Sequence, residues 1–147
     1  MNSGSDTDKQ QHEMHSQMIL QGWGQDNPAF RQFFTSLFIP GATKEQMDWF
    51  NELQRNTVSP ENAVRLREVS SNVDVRELLG EISVPTLVLH CRDDGIVPFE
   101  NGRRMAAMIP NARFVALEGK NHLILEDEPA WPRFMGEVSA FLAQDEV

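Results

Sequence analysis

Apolar residues recur at helical spacing through roughly the first half of the chain and only then give way to short runs suited to strands. From His12, the residues Met14, Met18 and Ile19 place one apolar face on a short helix that stops near Gly22-Trp23-Gly24. Asp26-Asn27-Pro28 opens a second helix bearing Phe30, Phe33, Phe34, Leu37 and Phe38. That stripe predicts packing against a neighbour, with the wall of an apolar pocket as the competing use. Thr43-Lys44-Glu45-Gln46 has capping-box spacing and starts a third helix with Met47, Phe50 and Leu53 on its inner face. Ser59-Pro60 starts a fourth, with Ala63, Val64, Leu66 and Val69 inward, and Asp74 caps a short turn that Gly80 ends.

The rhythm changes after Val84-Pro85. Thr86 to Cys91 reads as a strand apolar on both faces, and Asn101 to Ile109 as a helix with Met105, Met108 and Ile109 inward. Arg113 to Leu117 is a second strand. A final helix, capped by Asp127-Glu128-Pro129, carries Trp131, Phe134, Met135, Val138, Phe141 and Leu142 to cover the sheet. Strand, helix, strand in that order is a βαβ unit with two parallel strands, so the class is α/β. The organisation predicted is a disordered polar stretch at 1–11, a helical region at 12–80, and a β-α-β-α region at 81–147.

Composition narrows the function more than the fold. A chain of 147 residues with 40% hydrophobic and 24% charged residues suits one globular domain. Its net charge of −9 argues against direct nucleic-acid binding, which needs clustered Lys and Arg. Cys91 is the single cysteine, so no internal disulfide can form and a reducing compartment is expected. No signal peptide or long apolar span is visible, which predicts a cytoplasmic chain without a membrane partner. His12 and His15 share a helix face, but no third ligand accompanies them; solvated side chains are expected, and neither metal nor cofactor.

Two loops hold the candidate chemistry. Asp93-Asp94-Gly95 leaves the first strand and Glu118-Gly119-Lys120-Asn121-His122 leaves the second. A right-handed βαβ connection brings the ends of both strands to one edge of the sheet, so Asp94 and His122 can meet. A carboxylate beside an imidazole fixes the tautomer and stabilises the imidazolium formed when histidine takes a proton from a nucleophile. Taken singly, Asp-Asp-Gly after a strand also makes an ordinary turn, and a loop histidine is often only solvated. His90 is expected to be a packed side chain, and Cys91 a buried, unreactive one.

These residues resemble the C-terminal part of the α/β-hydrolase family. The resemblance covers residues 82–143: Val84-Pro85-Thr86-Leu87-Val88-Leu89-His90, Asp94 with Val97-Pro98, Ile109-Pro110-Asn111-Ala112-Arg113-Phe114, Gly119-Lys120-Asn121-His122, and the helix through Trp131 and Phe141-Leu142. It implies a partial α/β-hydrolase fold in which Asp94 is the acid, His122 the base, and the helical region at 12–80 cap-like. Where the family has glycine three residues before the acid, Cys91 stands here, and Asp93 remains the neighbouring alternative to Asp94. Residues 22–55 are further similar to hydrolase-like domains attached to bacterial LuxR-type regulators and nucleotide cyclases.

The chain departs from the family in one large respect: it contains no Gly-x-Ser-x-Gly nucleophile elbow. The resemblance therefore implies the later half of an ester or acyl hydrolase, inactive alone, acting in complete form on a small-molecule acyl substrate. A non-catalytic ligand-sensing or interaction domain of a bacterial regulator is the alternative. An unpaired edge on the first strand predicts a homo-oligomer, formed through that edge or by exchange of helices.

Overall fold

The computed structural model describes residues 3–143, in the order α1 (Ser3–Gly22), α2 (Ala29–Phe38), α3 (Lys44–Thr57), α4 (Pro60–Asn72), a 3₁₀ turn (Arg76–Glu81), β1 (Leu87–Cys91), α5 (Phe99–Met108), β2 (Arg113–Leu117) and α6 (Trp131–Leu142). The chain divides into two compact units: Met1–Ser36 with Thr43–Val73, and Leu37–Ala42 with Asp74–Val147. The 3₁₀ turn packs on α5, within the second unit.

In the first unit, helix starts follow their local signals. Thr43 and Gln46 form both halves of a capping box, and the Ser59 hydroxyl accepts the Asn62 N–H at 3.3 Å. Such caps each stabilise a helix by about 1 kcal/mol. The first helix starts at Ser3, well ahead of His12.

Ile19, Trp23, Phe34, Ala63 and Val64 form the apolar core of this unit. Inner faces are more polar than periodicity suggested. Asn51 and Gln54 are buried with Phe50 on α3, whereas Leu53 on α3, and Leu66 and Val69 on α4, are exposed. The aromatic stripe of α2 is split: Phe34 is buried in the core, while Phe30 and Phe33 stay partly exposed.

The second unit is built on β1 and β2, which pair in parallel from Leu87 opposite Arg113 to Cys91 opposite Leu117. Among the described residues the sheet has these two strands. Cys91, Val115, Leu117 and Ala130 form its core, with Leu87, Leu89, Ile124 and Phe134 packed against it. Two expectations are corrected. At α5 Ile109 is buried as expected, but the inner residues of the helix itself are Gly102 and Ala106, with Met105 and Met108 turned outward; the His90 ring fills the space beside Gly102. On α6 no residue is fully buried; Phe134 reaches the core, while Met135 and Leu142 are exposed.

Candidate active site

Both loops leave the C-terminal ends of the strands, and hydrogen bonding continues between them past the sheet. The Arg92 N–H donates to the Leu117 carbonyl at 3.0 Å and the Asp93 N–H to the Gly119 carbonyl at 3.1 Å. This pairing sets the two loop tips side by side. The chain then turns back on itself: the Asp94 carboxylate Oδ1 accepts the backbone N–H groups of Ile96 at 2.8 Å and Val97 at 3.0 Å. An Asx-type turn of this kind is what a short acidic side chain before glycine makes readily. It fixes the rotamer of the acid.

The other oxygen of that carboxylate, Oδ2, lies 2.7 Å from His122 Nδ1. Asp94 is the carboxylate that meets the histidine; Asp93 is exposed and engages the second loop through its backbone. The Asp94 side chain is only 5% exposed and that of His122 31%, so the acid is enclosed while the imidazole reaches solvent. Burial pushes the Asp94 carboxyl up, but the hydrogen bond from His122 and those from the Val97 and Ile96 N–H groups outweigh it and hold the carboxyl below its ordinary range. An ionised Asp94 requires the proton on His122 Nδ1, which leaves the Nε2 lone pair as the basic atom of a neutral ring.

Phe38 holds His122 in two further ways. The backbone N–H of His122 donates to the Phe38 carbonyl at 2.8 Å, and the Phe38 ring meets the imidazole edge-on at 5.5 Å. Asn121, 2% exposed, accepts the Gly41 N–H at 2.7 Å through Oδ1 and donates through Nδ2 to Glu128 Oε2 at 3.2 Å. Glu128 Oε1 accepts the Leu125 N–H at 2.5 Å. Glu128 therefore braces the histidine loop. It does not cap α6 as its sequence position suggested, since that helix has Ala130 at its N-cap with no side-chain bond.

Sequence reasoning gave Asn121, Glu128 and the Phe38–Gly41 segment no part in the site. A polar residue directly before the histidine was the one available signal. His90 was expected merely to pack, yet its Nε2 lies 2.9 Å from the Val97 carbonyl and 3.4 Å from Asp94 Oδ2. Cys91 is buried as expected, its thiol pushed up to about 11 by burial and then by the nearby Glu128 and Asp94 charges. The side chain of His12 falls outside the described residues, whereas His15 Nδ1 lies 2.9 Å from Arg67 Nη2. Among the described residues no group of three or more His, Cys, Asp and Glu could hold a metal, and no helix is long and apolar enough to cross a membrane.

The family model for the alpha/beta hydrolase fold matches residues 7–129 of this chain. A non-heme chloroperoxidase of Kitasatospora aureofaciens is 40% identical over 42% of this chain and 23% of its own length. A pimeloyl-[acyl-carrier protein] methyl ester esterase of Vibrio atlanticus is 30% identical over 63% of this chain and 32% of its own length. Among solved structures, an esterase from Exiguobacterium antarcticum superposes with a TM-score of 0.72 at 22% identity, covering 90% of this chain and 48% of the esterase. The chain thus spans less than half the length of each of these proteins.

Proposed function

The chain belongs to the α/β-hydrolase family, and from that premise we propose that it supplies the acid and the base of an acyl-hydrolysing centre whose nucleophile comes from outside residues 1–147. The observation carrying this reading is the 2.7 Å contact between Asp94 Oδ2 and His122 Nδ1, made by loops that leave neighbouring parallel strands. Asp94 orients the ring and stabilises its protonated form. His122 Nε2 removes the proton of the nucleophile as that oxygen attacks the acyl carbon, then delivers it to the departing alkoxide. In the second half the same atom takes a proton from water as the water oxygen bonds to the acyl carbon, then returns that proton to the nucleophile as the acyl–nucleophile bond breaks and the acid leaves.

One similar protein is named a methyl ester esterase, which favours an ester over other acyl compounds. Neither a serine elbow nor its associated oxyanion donors can be assigned within the 147-residue sequence, so the chain by itself is expected to be inactive. Purified residues 1–147 and the His122→Ala variant should release p-nitrophenol from p-nitrophenyl acetate at the same background rate. A wild-type rate that disappears in His122→Ala would show that a nucleophile is already present and overturn the proposal.

A further inference from the structure

We propose that His90 is a positioning residue for the Asp94–His122 pair, holding the acid's loop by a hydrogen bond that its Nε2–H donates to the Val97 carbonyl. This rests on the reading of Asp94 and His122 as acid and base, and extends it to a residue one position before the end of β1.

The tautomer follows from the partner. A carbonyl oxygen can only accept, so at 2.9 Å from the Val97 carbonyl the His90 Nε2 must carry the proton. Val97 is therefore held at both ends of its residue: its N–H donates to Asp94 Oδ1 at 3.0 Å, and its carbonyl accepts from His90. The turn that fixes the carboxylate is thereby tied back to the strand it has just left. The same Nε2–H stands 3.4 Å from Asp94 Oδ2, the oxygen that accepts from His122. That separation is long for a hydrogen bond, but it sets the positive end of an N–H dipole beside the carboxylate.

The ring has little freedom to do otherwise. Its side chain is 10% exposed, and Phe99 meets it edge-on at 5.8 Å. On the far side it presses against α5 at Gly102, where a Cβ would come within 2.3 Å of His90 Nδ1. The absence of a side chain at residue 102 thus makes room for the imidazole. A Phe at residue 90 would fill the same space. What it would lack is the donor, and that separates positioning from packing.

The full chain can be tested by proton and nitrogen NMR of its histidine rings. Wild-type His90 should show the Nε2–H tautomer, and His122 an Nδ1 proton shielded from solvent exchange. His90→Phe should speed exchange of the His122 Nδ1 proton by about tenfold, and His90→Gln, whose amide can still donate to Val97, should restore it to within about twofold. The proposal is overturned by a His90 ring protonated on Nδ1 alone, by unchanged exchange in His90→Phe, or by His90→Gln behaving like His90→Phe. Should His90→Phe fail to fold, the wild-type tautomer and the Gln variant decide between these outcomes. None of these measurements depends on turnover, so they can fail while Asp94 and His122 remain acid and base, and can succeed if the acyl-transfer reading falls.

Discussion

Each unit of this protein buries a charged group, and the two differ in where the hydrogen bonds end. In the helical unit Arg31 is 0% exposed, its guanidinium donating to the carbonyls of Asn51 at 3.0 Å and of Trp23 and Gln25 at 2.6 Å each. Beside it Thr35 donates to Asn51 Oδ1, Gln54 to Thr35, and Asn51 to the half-buried Gln32, while Arg31 Nη2 reaches the exposed Glu52 carboxylate at 3.5 Å. The second unit buries an anion. Asp94 is satisfied by two backbone N–H groups and by His122, and from there the chain of contacts opens, because the imidazole reaches solvent. A buried charge held mainly by backbone carbonyls specifies a fold; one whose contacts end on an accessible basic atom can also do chemistry.

The largest expected effect tests the helical unit's network. Arg31→Met keeps much of the apolar stem and leaves three carbonyls without their donor, which should cost about 3–5 kcal/mol at about 1–3 kcal/mol for each buried group left unsatisfied. His122→Ala takes one of three partners from the Asp94 carboxylate but leaves its two backbone donors and opens it to solvent, so it should cost less, about 1–2 kcal/mol. Urea unfolding followed by circular dichroism gives both numbers. Equal losses for the two variants would erase the distinction between the networks.

Acidification sharpens the contrast. Asp94→Asn preserves shape but removes the anion, and the loss of charge-assisted hydrogen bonds should cost about 1.5–3 kcal/mol at neutral pH. Because the folded carboxyl is held below its ordinary range, its stabilisation is present above the unfolded value of about 4 and is lost as pH falls through the lower folded value. The stability gap between wild type and Asp94→Asn should accordingly be full at pH 7 and close below about pH 4. A gap of constant size down to pH 2 would mean that Asp94 is not the ionised partner of His122.

What the sequence disclosed follows from how local each cause is. Thr43 with Gln46, and Ser59 with Asn62, act across three residues, so those helix starts were legible. The meeting of Asp94 with His122 was legible for a topological reason, since parallel strands joined by one helix must deliver both loops to the same edge. Inner faces were harder to read. Gly102 and Ala106 face inward on α5 while Met105 and Met108 do not, and the imidazole that fills the space beside Gly102 comes from β1, which no periodicity within α5 records. The Asn121–Gly41 bond joins residues 80 positions apart, and Glu128 abandons a helix cap for donors supplied by the histidine loop. Such bonds leave no mark on the pattern of either segment alone.

The smallest effect concerns Cys91, which is buried at the end of β1 and senses the charges of the open network without joining it. Its thiol is pushed up to about 11, first by burial and then by Glu128 and Asp94, both anionic. In the unfolded chain a cysteine thiol ionises near 8.5, so the folded state holds its proton through a window in which the unfolded state has lost it. The stability this contributes is full below about pH 8.5 and should be lost as pH rises through about 11. Native protein should therefore resist iodoacetamide at pH 8 and react readily in urea. Removing one of the anions gives a finer reading: Asp94→Asn should hasten alkylation of the native protein at pH 9 several-fold, whereas Arg31→Lys, in the helical unit, should leave it unchanged. An Asp94→Asn variant alkylated no faster than wild type would show that burial alone governs the thiol, and that the field of the carboxylate stops short of the strand it leaves.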